Sequence, residues 1–152
     1  MKRFAAVLAA VLILFMCATA EDAPKEVKDF VTAYNSYADT YAVPALPLDG
    51  WREMSISYSL SLGDYYFDVD RSSNRSASVI VPVESIGLDF FAVCLCMTAA
   101  VRGSSTGNYA DLMTVFTTLR TTPEGENAKH ASKNGFMIMS ESNGVLLFMV
   151  TN

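Results

Sequence analysis

Residues 54–62, M-S-I-S-Y-S-L-S-L, alternate without a break between apolar and serine side chains. Successive side chains on a strand point to opposite faces. The run therefore predicts a strand with Met54, Ile56, Tyr58, Leu60 and Leu62 buried and Ser55, Ser57, Ser59 and Ser61 facing water. Gly63-Asp64 supplies a tight turn, and residues 65–70 return as a second strand with Tyr65, Phe67 and Val69 inward. Beyond the polar stretch 71–75, residues 77–83 read as a third strand, in which Pro82 marks either the strand's end or a sheet edge.

The period changes elsewhere. Across residues 21–41, Val27, Phe30, Val31, Tyr34, Ala38 and Tyr41 form one stripe at helical spacing, with Lys25, Lys28, Asp29 and Asp39 off it and Asp22 and Pro24 suited to the first turn. Two prolines in residues 43–48 then force extended backbone, and Asp49-Gly50 turns the chain. Residues 88–101, LDFFAVCLCMTAAV, are interrupted only by Asp89 and Thr98. Ser85 suits the start of a helix there and Arg102-Gly103 its end. The run falls short of the roughly 20 apolar residues that span a bilayer, so it predicts a helix buried against a sheet. Residues 109–119 predict a shorter helix with Asn108 as cap and Leu112, Val115, Phe116 and Leu119 on one face. Residues 121–133 are polar and read as a mobile connection. Residues 136–139 and 145–150 flank Glu141-Ser142-Asn143-Gly144 as a hairpin, and the last strand, apolar at every position, belongs in the middle of the sheet.

The order is helix, three strands, two helices, two strands. That predicts an α+β fold in which helices pack on one face of a five-stranded antiparallel sheet. The order is similar to that of type III secretion chaperones, in which a further helix closes the domain. The likeness is one of element order alone.

Met1-Lys2-Arg3, an apolar run over residues 4–16 and Cys17-Ala18-Thr19-Ala20 follow the plan of a secretory signal, with small residues at the −3 and −1 positions. Cleavage after Ala20 leaves residues 21–152 as a single exported domain, periplasmic or extracellular, without a membrane span. Such an address argues against a cytosolic chaperone role. Lipidation at Cys17 is disfavoured by the large Met16 before it. Without Lys2 and Arg3 the 11 basic residues become 9 against 16 acidic ones, a net charge of −7 that repels nucleic-acid backbones. Only Cys94 and Cys96 remain after cleavage; on a helix they point nearly apart, so a bridge between them is poor and both read as small buried hydrophobes.

Candidate chemistry is sparse. His130, the one histidine, sits in polar sequence without a nucleophile elbow nearby, and a Ser-His-Asp or Cys-His site would have to use it. Asp68, Asp70, Ser72 and Asn74 begin like a calcium loop, but Ser73 stands where Gly is needed and Val79 where Glu is needed, so an acidic hairpin end is the better reading. Asn74-Arg75-Ser76 is a glycosylation sequon. No motif calls for a cofactor or a metal. Two functions fit. The first is a non-enzymatic domain that binds a protein or cell-envelope component through the flat serine face (Ser55, Ser57, Ser59, Ser61) or the aromatic strip of the first helix (Tyr34, Tyr37, Tyr41). Against the strip stands a packing role, the rings covering the sheet edge with their hydroxyls in water. The second is a small hydrolase with carboxylates assembled in space, drawn from Asp64, Asp68, Asp70 and Glu84.

Overall fold

A computed structural model describes residues 23–72, 75–121, 129–140 and 144–152, the side chains of 129 and 137–140 excepted. The stripe of the first helix, α1 (Lys25–Tyr41), is buried from Val27 to Ala38, and the helix ends at Ala42 in the left-handed conformation, φ 54°. The connector that follows is tied back to it. The Asn35 side chain donates to the Leu46 carbonyl at 2.9 Å and accepts from the Leu46 N–H at 2.8 Å. Val43 and Leu46 are thereby held in the core.

Strands β1 (Arg52–Glu53), β2 (Ser57–Leu62), β3 (Tyr65–Asp70) and β4 (Ser76–Pro82) form an antiparallel meander. A single turn of 3-10 helix at Val83–Ser85 leads into α2 (Leu88–Arg102), and α3 (Thr106–Thr121) follows. Strands β5 (Lys129–Lys133), β6 (Phe136–Ser140) and β7 (Val145–Thr151) complete one antiparallel sheet of order β1-β2-β3-β4-β7-β6-β5. The fold is therefore α+β with the helices on one side of the sheet. The five expected strands are its middle, and two short ones, β1 and β5, extend it at either edge. Pro82 is the last residue of a central strand, where its missing N–H costs least.

The side of the sheet under the helices holds Leu60, Phe67, Val69, Ala77, Val79, Val81, Leu146, Phe148 and Val150, all buried. Tyr34 of α1 meets Phe67 edge-on at 6.3 Å, Phe116 of α3 meets Phe91 of α2 at 5.2 Å, and the Arg102 guanidinium lies 4.7 Å over Phe136. Helix α2 is buried around most of its circumference, as its unbroken apolar sequence requires. Both cysteines on it are free and buried.

Four local expectations change. The alternation over residues 54–62 does not run as one strand, because the chain reverses at residues 54–57, where the Met54 N–H donates to the Ser57 carbonyl at 2.8 Å. Met54 and Ile56 consequently lie on a hairpin tip, Ile56 77% exposed, rather than in the core. Gly87, not Ser85, precedes α2, and the Ser85 hydroxyl instead donates to Asp64 at 2.8 Å. Ser105 rather than Asn108 caps α3, its Oγ accepting the Asn108 N–H at 3.1 Å, while the Asn108 amide donates to the carbonyls of Arg102 and Gly103 that end α2. Finally, residues 129–133 are strand β5 rather than part of a polar connection. Their partner strand returns through Asn134-Gly135, both at positive φ as a two-residue hairpin turn requires. Residues 1–22, Ser73-Asn74, the stretch 122–128 and Glu141–Asn143 lie outside the described residues, and with them the cleavage site, Asp22, the sequon's asparagine and the tip of the final hairpin.

Candidate functional site: the open face of the sheet

Strand register divides the sheet into two faces, and the helices cover only one. On the other, the register aligns positions into ranks that cross the strands. Arg52, Ser59, Asp68, Ser78, Met149, Met137 and Ser132 make one rank; Ser61, Tyr66, Ile80, Leu147, Met139 and His130 make the next. Pro82 pairs with Val145 at one end, and Ser76 with Thr151 at the other. Both ranks hold a serine on β2 and reach an apolar residue on β7, while on β4 the first holds Ser78 and the second Ile80.

The polar half is organised by its own hydrogen bonds. Ser59 and Ser57, the latter at 3.3 Å, both donate to Oδ1 of Asp68. Asp70 accepts the Ser76 hydroxyl at 3.1 Å and the Ser72 N–H at 2.7 Å. The Ser72 backbone donor, ahead of the two hydroxyls, holds the Asp70 carboxyl below its ordinary range. In the apolar half Ile80, Val145, Leu147 and Met149 are half-buried by one another and by neighbours on the same face, and Tyr66 at its margin is exposed. None of these five belongs to the core cluster.

The candidates read from sequence separate onto this frame. Ser57, Ser59 and Ser61 stand together on the open face, Ser59 almost wholly enclosed between β1 and β3, whereas Ser55 lies on the hairpin tip. The tyrosines belong to the opposite, helical layer. Tyr34, only 1% exposed, is a core residue, so no partner can reach its ring without opening the fold. Burial, aided by the neighbouring thiols of Cys96 and Cys94, drives its hydroxyl pKa up strongly. Tyr37 is half-buried against the core. Tyr41 donates to the Tyr109 hydroxyl at 2.9 Å, and that bond together with burial pushes its pKa up to about 12. The aromatic strip is thus packing between α1, α2 and α3, and its hydroxyls do not line a shared surface with the serines.

The candidate carboxylates fall into two groups. Asp68 and Asp70 face outward from β3, while Asp64 sits in the β2–β3 turn bonded to Ser85, and Glu84 lies in the 3-10 turn. The carboxyl groups whose proton affinity shifts, Asp70 and Asp111, both move down. A general acid needs the opposite shift. His130 is exposed on edge strand β5. Among the described residues no group of His, Cys, Asp and Glu is placed to hold a metal ion, and no helix is long and apolar enough to cross a membrane.

Two further surface features lie away from the open face. A cleft of about 810 Å³ opens between the start of α1 and the ends of β3, β4 and α2, with Phe30, Val69 and Val101 as floor and Lys25, Asp70 and Arg75 on its rim. Lys25 is already paired with Asp29, and Asp70 with its hydroxyl donors, so the rim carries no dominant sign. At the other end of the sheet Val83, Ile86 and Leu88, the last 89% exposed, project around the start of α2 beside Glu84 and Asp89.

What sequence reading missed on the open face is its apolar half: Tyr66, Ile80, Leu147 and Met149. The signal was present in the last strand, whose alternate positions Val145, Leu147 and Met149 are as apolar as Leu146, Phe148 and Val150. Comparison of the chain with protein-family models, with curated proteins and with solved structures returns no match.

Proposed function

We propose that the mature chain is an exported, non-enzymatic domain that docks a protein or cell-envelope component on the open face of its sheet. The observation that carries this reading is the composition of that face. An antiparallel sheet with one face in water ordinarily presents polar side chains there. Here half of the face is apolar, with Ile80, Leu147 and Met149 at its centre, and an ordered row of serine hydroxyls and carboxylates lies beside it. A contiguous apolar patch rimmed by polar groups is the usual anatomy of a protein-binding surface. Export rests on the basic head, apolar run and Ala18-Thr19-Ala20 site of the first twenty residues.

Two measurements test it. N-terminal sequencing of the protein from a fractionated source cell should begin at Glu21; a chain recovered in the cytosol with Met1 in place would remove the export half. A photo-crosslinking residue at Ser61 of the exported protein should capture a defined envelope component, and the same residue at Thr117 on α3 should not. Equal capture from both sites would remove the binding half.

A further inference from the structure

The apolar half of the open face needs a cover, and we propose that the cover is a second copy of this chain, the two sheets packing face to face about a two-fold axis that runs along β7. The inference rests on the reading of this face as a docking surface and names its first partner.

Self-complementarity carries the argument. The sheet order places β4 and β6 on either side of β7, and β3 and β5 beyond them. A two-fold axis along β7 lays β7 on its own copy, β4 on β6, and β3 on β5. By rank, Leu147 and Met149 then meet their own copies, Ile80 lies opposite position 139 and Ser78 opposite position 137, all without a charge. At the margins Asp68 falls opposite Ser132, a hydroxyl donor, and Tyr66 opposite His130. The arrangement brings apolar centre to apolar centre and polar margin to polar margin.

Charge and area agree with it. Two copies of a chain this acidic repel, so a stable contact must use an uncharged stretch and keep carboxylates apart. With strands about 4.8 Å and packed sheets about 10 Å apart, the two Asp68 side chains end up about 20 Å from each other, more than two screening lengths at physiological salt. Five overlapping strands of six residues cover about 480 Å² in projection, before side-chain relief is counted. The two copies together then cover about 960 Å², below the roughly 1,200–2,000 Å² of a standard interface and in the range of weak, reversible contacts. Ser57, Ser59 and Ser61 on β2 overhang the contact and stay open in both copies, available to an outside component.

Sedimentation equilibrium of the mature chain, residues 21–152, tests the proposal. A reversible dimer is expected. Met149→Lys sets like charges against each other across the axis and should raise the dissociation constant by about tenfold or more, a factor worth about 1.4 kcal/mol. Ser61→Lys, outside the contact, should leave it unchanged. Circular dichroism reports whether each variant is folded. Met149→Cys gives a reading independent of the lysine variant, since a short bis-maleimide should link it to its own copy across the roughly 10 Å between the sheets whereas Ser61→Cys should stay unlinked. A monomer at every concentration overturns the inference, as does a dimer indifferent to Met149→Lys or one that links through Ser61→Cys. If a monomeric mature chain still captures an envelope component through Ser61, the second copy is wrong and the docking reading stands; if the dimer forms and nothing is captured, the reverse holds.

Discussion

Strand β7 puts two kinds of apolar residue side by side. Phe148 and Val150 are sealed under α2, while Leu147 and Met149, one step along the chain, look out from the uncovered face. Sequence hydrophobicity is the same for both sets; only the presence of a helical layer separates them. The comparison shows that an apolar residue is not a core residue until another element comes to cover it. It also shows where stability resides in this fold. The inner face holds the domain together, and the outer face is free to change at little cost to folding.

The sharpest way to break that contrast is a pair of truncations. Phe148→Ala should lower stability by roughly 3–5 kcal/mol, since a fully buried ring leaves a cavity. Met149→Ala, measured at a concentration where the chain is monomeric, should cost under about 1 kcal/mol, nearer the range of surface substitutions. Urea denaturation of both decides it, and similar midpoints would mean that the outer face is covered within the monomer.

A second test asks how tightly the β5–β6 turn is docked against the end of β7. Gly135 has φ +84°, and a Cβ there would lie 2.7 Å from Thr151 Oγ1 and 3.0 Å from the Thr151 carbonyl oxygen. Gly135→Ala should therefore cost roughly 1–3 kcal/mol through backbone strain and the clash together. A midpoint unchanged from the parent would show the turn free of β7.

The inner face can also be probed by alkali. Burial pushes the Cys94 thiol well up and the Cys96 thiol up to about 11 from an ordinary 9.0. Below the ordinary value both states keep their protons and the pair has no effect. Above it the unfolded chain releases protons that the folded chain retains, so stability falls as pH rises from about 9. In the Cys94→Ala, Cys96→Ala double variant the fall should begin only near the tyrosine range, where Tyr34, raised by burial from an ordinary 10.0, takes over. Thermal melts between neutral pH and pH 10 measure the difference. In the same setting both thiols should alkylate slowly until the chain unfolds; rapid labelling of either at neutral pH would place it outside the core.

The smallest effect belongs to Ile56. Replacing it with Ala should stay within about 0.5 kcal/mol, because the side chain is already in water. Leu60→Ala, four residues on and buried, should cost roughly 2–5 kcal/mol. Equal losses would restore the uninterrupted strand.

Ile56 also marks the limit of what the sequence makes legible. Period reveals the faces of α1 and β3, and an unbroken apolar run reveals the central place of β7. Period does not reveal a reversal inside a regular alternation. Residues 54–57 keep the strand's pattern while the chain turns, and the hydrogen bond from Met54 to Ser57 that closes the turn leaves no trace in composition. Strand β5, K-H-A-S-K, is illegible for the opposite reason: at an edge only Ala131 is buried among its described side chains, and one apolar residue sets no period. The open face is half legible. Its serines stand out in the alternation of β2, but its apolar centre joins Ile80 and Leu147, 67 residues apart in the chain, which only the sheet order brings together.

The two short outer strands have a consequence for how the protein behaves at high concentration. A sheet can recruit foreign chains by extending its hydrogen-bond ladder sideways, the route by which exposed edges seed fibrils. Here one lateral border is a strand of two residues, too brief to template anything. The other bears Lys129 and Lys133, and its Lys133 is clamped to Asp111 of the helix above at 2.9 Å. Lysines on an outermost strand discourage that growth because stacking copies would stack their charges. With both borders blunted, runaway polymerisation along the ladder is checked, and an encounter between molecules is steered toward flat, closed, countable assemblies.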